Sequence, residues 1–62
     1  MKTIAESATI LNAEGYITAR GVSVIDLGDT LIIGVIPFPK FELEISDNCI
    51  TSKNAGWAVI LN

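Results

Sequence analysis

Hydrophobic and polar positions change rhythm along this chain, and each rhythm predicts an element. Residues 40–45 alternate strictly, with Phe41, Leu43 and Ile45 on one face and Lys40, Glu42 and Glu44 on the other, the period of a strand with one wet side. Residues 30–36 do not alternate: Leu31, Ile33 and Val35 point one way and Ile32 and Ile36 the other, so both faces of that strand are expected to leave water. Residues 22–27 form a further strand-like run, separated from Thr30 by Gly28-Asp29, a hairpin signal because Gly supplies the positive φ such turns require. Pairing Leu27 with Thr30 sets Asp26 against Leu31, Ile25 against Ile32, Val24 against Ile33, Ser23 against Gly34 and Val22 against Val35. Asp47-Asn48 marks a second turn. Pairing Ser46 with Cys49 there sets Ile45 against Ile50, Glu44 against Thr51, Leu43 against Ser52 and Glu42 against Lys53, with opposite charges facing each other on the wet side. Pro37 and Pro39 lie two apart and lack amide hydrogens on the same edge, which predicts a corner over residues 36–39. Residues 53–56 read as a third turn, and residues 57–61 as a final strand apolar on both faces.

The N-terminal pattern reads differently. Thr3 and Glu6 have the spacing of a capping box, and Ile4, Ala8 and Leu11 recur at helical spacing with Ala5 widening the stripe. Gly15 stands where a left-handed residue often ends a helix. A helix over residues 4–13 is therefore expected. The rival is a strand over residues 3–11, supported by β-branched Thr9 and Ile10 but weakened because neither alternate set is consistently apolar. Residues 11–21, from Leu11 through Gly15 and Tyr16 to Arg20 and Gly21, resemble a stretch of serine recombinases in which a short helix ends in Gly. The recognition helix and basic residues of that family are missing downstream, so the resemblance implies only a helix that stops near Gly15. The fold class expected is α+β: one domain over residues 1–62, a short N-terminal helix followed by about five antiparallel strands in a small sheet or partly closed barrel. An all-β fold is the alternative.

Composition adds a need for help. A 62-residue chain buries only roughly 60% of the surface its unfolded form exposes, and small proteins compensate with disulfides, metals or self-association. The single Cys49 forbids an intrachain disulfide, and with no His nothing resembles a zinc site. Self-association remains, and the two-sided apolar strands predict a homo-oligomer. Four basic against seven acidic residues give a net charge of -3, which disfavours nucleic acid as a partner. The longest uncharged run, residues 30–39, contains Gly34, Pro37 and Pro39 and is about half of a membrane span, so no membrane partner is expected. A free thiol without an export signal points to the cytoplasm.

Candidate chemistry is sparse. Without His, general acid–base work lacks its usual residue, and Cys49 has no neighbouring base in sequence, so it reads as a passive thiol. Glu42 and Glu44 share a face that reads as solvated, and Asp26 with Asp29 falls short of a calcium loop. No enzyme activity, cofactor or metal is expected. The groups able to stack on or pair with a small anionic or planar ligand are Tyr16, Arg20, Lys40, Lys53 and Trp57, of which Tyr16, Arg20, Lys53 and Trp57 are expected to line the site. These observations imply a non-catalytic, oligomeric binding or sequestering module, of the accessory or inhibitor type, gripping a small ligand or protein partner at a subunit interface. The alternative is a structural subunit that assembles through its apolar strands.

Overall fold

The computed structural model describes residues 1–61. The chain forms β1 (Lys2–Leu11), β2 (Ile17–Asp26), β3 (Thr30–Ile33), β4 (Ile36–Pro39), a 3-10 turn (Lys40–Glu42), β5 (Leu43–Ile45), β6 (Cys49–Ser52) and β7 (Ala58–Ile60). All pairings are antiparallel, in the order β4-β3-β2-β1-β7-β6-β5, and the sheet curls into a nearly closed barrel. Two meanders, β1 to β4 and β5 to β7, are joined by the 3-10 turn and sealed where β7 pairs with β1. Ala5, Ala8, Val24, Leu31, Ile33, Leu43, Ile50 and Val59 form the buried core inside. No helix among the described residues is long and apolar enough to cross a membrane.

The expected α+β fold is corrected to all-β: the N-terminal helix is absent, and seven strands replace about five. Residues 4–11 lie in β1, and the cause of the misreading is visible in its register. Ala5 opposite Val24 and Ala8 opposite Val22 both face the core although three residues apart, because the ladder shifts between them. A β-bulge of this kind adds one residue to one strand, so a strand takes on the three-residue spacing of a helix. Further along, the excess passes to β2, where Ala8 to Ile10 is matched by Val22 to Ala19. Gly21 in that interval has φ +68°, a conformation open to Gly at little steric cost. Further shifts lie between Thr3 and Ala5 on β1 and between Ala19 and Ile17 on β2, and the four offsets cancel, so the hairpin ends in the register in which it began. Thr3 and Glu6, the expected capping pair, are exposed on the strand.

Both predicted hairpins form in the predicted register. Val24, Ile25 and Asp26 face Ile33, Ile32 and Leu31, and Leu43, Glu44 and Ile45 face Ser52, Thr51 and Ile50. The Lys53 amide donates to the Glu42 carbonyl at 3.0 Å, but among the described residues the only ion pair is Lys40–Asp26, so the expected charge pair across β5 and β6 does not close. The run over residues 30–36 is not one strand. Gly34 (φ +69°) and Val35 form a two-residue turn between Ile33 and Ile36, the hairpin geometry that wants Gly first. The predicted pair of Val22 with Val35 therefore does not form, and Val35 is 90% exposed.

The expected corner at residues 36–39 is instead β4, an edge strand. Leu31 and Ile33 present their ladder groups to Phe38 and Ile36, because Thr30, Ile32 and Gly34 spend theirs on β2. Pro37 and Pro39, at the intervening positions, turn their nitrogens to the free edge, where a missing amide costs no ladder bond. The alternation of residues 40–45 is cut short by the 3-10 turn, which leaves Phe41 75% exposed while Leu43 is buried.

Candidate functional site

An open groove of about 270 Å³ is lined by Ile10, Leu11 and Asn12 of the β1 end, Thr18 of β2, Ile33 of β3, Ile36 and Phe38 of β4, and Trp57. Trp57 ends the turn before β7, fixed by the Ser52 amide donating to its carbonyl at 3.0 Å. That turn approaches the β1–β2 turn closely: a Cβ on Gly56 would lie 3.4 Å from the Ala13 Cβ. The indole is thereby held beside the β1 end. Phe38 reaches it from β4, with ring centroids 5.0 Å apart and planes tilted by 57°, within the range favoured by aromatic pairs.

Polar groups in the lining face the scaffold. The Thr18 hydroxyl donates to the Ile10 carbonyl at 3.3 Å. Asn12 Oδ1 accepts the amides of Glu14 (3.0 Å) and Tyr16 (2.9 Å), holding the β1–β2 turn. No titratable side chain of the described residues lines the groove. The arrangement can desolvate an apolar group and stack against a ring, and it offers no acid, base or nucleophile.

Of the four residues expected at the site, Trp57 lines the groove, while Tyr16, Arg20 and Lys53 do not. Tyr16 is 71% exposed in the β1–β2 turn, Arg20 is exposed on β2, and Lys53 is exposed in the β6–β7 turn. A charge-pairing role for Arg20 or Lys53 thus requires a ligand that extends beyond the groove. Sequence reasoning left Phe38, Ile36, Ile33 and Thr18 out of the site. The one available signal was Phe38, a large apolar residue between two edge-forming prolines.

Elsewhere, a hollow of about 460 Å³, slightly more open to solvent, lies over residues 3–7 of β1 alone. Cys49 is half-buried, its Sγ 3.4 Å from Ser46 Oγ. The described residues contain no group of three His, Cys, Asp or Glu placed to hold a metal. Asp26 has its carboxyl held below the ordinary value of 3.8, first by the Gly28 amide at 2.8 Å and then by the Lys40 ammonium. No known protein family, curated protein or solved structure matches this chain.

Proposed function

We propose that the protein is a non-catalytic binding module that self-associates and encloses an apolar, planar group in the Phe38–Trp57 groove at the interface between copies. The observation that carries this reading is the groove itself: apolar, walled by an aromatic pair, free of titratable groups and open to solvent. Small-molecule sites are commonly about 300–1,000 Å³ and bury most of the ligand, so an open groove of about 270 Å³ in one chain falls just below that range and leaves one side of a ligand uncovered. Ile36 on its wall is 56% exposed, and Val35 beside it projects almost entirely into solvent. A second copy over these residues would remove that apolar surface from water and complete the enclosure.

Light scattering coupled to size exclusion tests the reading on the wild type and Ile36→Glu at micromolar concentration. The wild type should contain more than one chain and Ile36→Glu one, with the same circular dichroism, and an uncharged aromatic probe such as naphthalene should quench Trp57 only in the wild type. A monomeric wild type overturns it. Assemblies much larger than a small ring would favour a structural subunit instead.

A further inference from the structure

The sheet has two free edges, β4 and β5, and their chemistry differs. On β4 the outward positions are Pro37 and Pro39, so that edge offers carbonyls and no amide. On β5 the Glu42 carbonyl and the Ser46 amide bond to β6, which places Glu44 in the bonded pair with Thr51 and leaves Leu43 and Ile45 facing outward. Ile50, opposite Ile45, gives its own ladder groups to Val59, between the bonded pairs Leu61–Asn48 and Ser52–Trp57. The Leu43 amide is spent on the Lys40 carbonyl. The open edge therefore presents the Ile45 amide and the Ile45 and Leu43 carbonyls. Around it, Ile45 is 48% exposed, Phe41 is exposed, and Glu44 and Asp47 are exposed acids.

We infer that the β5 edge is a strand-addition site for an extended segment of a protein partner that is apolar at alternate positions and carries Lys or Arg opposite Glu44. Main-chain hydrogen bonds to Ile45 and Leu43 supply the attachment, and alternate side chains supply selectivity. Apolar residues of the added strand cover Ile45, and the basic one meets the carboxylate on the outer face. A second copy of this chain fits poorly: antiparallel pairing of two β5 edges through Leu43 and Ile45 sets the two copies' Glu44 carboxylates directly opposite each other, an unfavourable like-charge pair, and pairing Ile45 with Ile45 sets Glu44 against Ser46, with no basic residue to meet it. The short edge, three residues long, limits indiscriminate pairing and leaves discrimination to charge. This surface lies apart from the Phe38–Trp57 groove and does not depend on it.

The test uses a capped synthetic octapeptide of alternating Val and Lys, and its counterpart with Glu in place of Lys. With the full-length protein, the Lys peptide should bind at least about tenfold tighter, which corresponds to about 1.4 kcal/mol, and should slow hydrogen exchange at the Ile45 amide. Glu44→Lys should reverse the preference, and Ile45→Pro, which removes the outward amide, should abolish binding of both peptides. Equal binding of the two peptides, unaltered exchange at Ile45, or wild-type affinity in Ile45→Pro would overturn the inference. So would a dimer of the free protein that Ile45→Pro disperses, since the occupant would then be a second copy.

Discussion

The Lys40 ammonium sits 2.9 Å from Asp26 Oδ1 and 3.0 Å from Oδ2, joining the start of the crossover between the two meanders to the end of β2. The Lys40 amide strengthens the same junction by donating to the Asp29 carbonyl at 2.9 Å. One residue thus fixes where the chain leaves the first meander, and Asp26 anchors both its own turn, through the Gly28 amide, and the crossover.

This junction makes stability acid-sensitive in a stated direction. The folded-state carboxyl of Asp26 lies below its ordinary 3.8, chiefly through the Gly28 amide and then Lys40, so the unfolded chain takes up the proton first as pH falls. Its stabilisation is complete above the unfolded value and is lost as pH drops through the lowered one. Asp26→Asn, which keeps an oxygen for Gly28 but no charge for Lys40, should be less stable than the wild type at pH 7. The gap should narrow below pH 3.8 in urea titrations; a gap that persists unchanged at pH 2 would refute the assignment.

Core packing gives the largest expected loss. Ile50 is fully buried among Leu31, Val24 and Val59, and deleting its branched side chain leaves a cavity. Ile50→Ala should cost about 2–5 kcal/mol and Ile50→Val about 0.5–1.5 kcal/mol, read from urea unfolding. For a chain this small the alanine variant approaches the whole stability, at roughly 0.05–0.15 kcal/mol per residue.

The bulge in β2 is tested at Gly21. A Cβ there meets nothing within 4 Å, so only the backbone opposes a side chain, and the left-handed conformation costs an L-residue about 1–2 kcal/mol. Gly21→Ala should be destabilised by that amount and Gly21→Asn by less. A neutral alanine would mean that the register shift does not need this conformation.

Cys49 should be dispensable. Its thiol is half-buried beside Ser46, so Cys49→Ser is expected to change stability by less than about 2 kcal/mol and to leave the oligomeric state unchanged. An intersubunit disulfide on non-reducing gels of fresh protein would contradict this.

The hairpins around Gly28-Asp29 and Asp47-Asn48 were legible because two turn residues fix a register and alternate positions then agree with it. β1 was not, because its bulge places Ala5 and Ala8 on one face at a helix-like interval, and a local pattern cannot distinguish a helical turn from a displaced pleat. β4 was hidden for another reason: proline is barred from the bonded side of a strand and tolerated on the other, and which side Pro37 and Pro39 occupy is decided by β3. At the site, Trp57 was identifiable as a large ring beside a turn, whereas its pairing with Phe38 depends on how the two meanders curl together. Residue spacing carries no trace of that closure.

The closure of β7 on β1 also bears on how fast the protein folds. Thr9, Ile10 and Leu11 wait for Ile60, Val59 and Ala58, so the central strand gains its second neighbour only after nearly the whole described chain has been drawn into a loop. Such distant pairings form late and slowly, in the millisecond-to-second range typical of small β-barrels. Until they form, β1 carries an unpaired edge open to neighbouring chains. Refolding at high concentration is therefore the condition under which this protein is most exposed to aggregation.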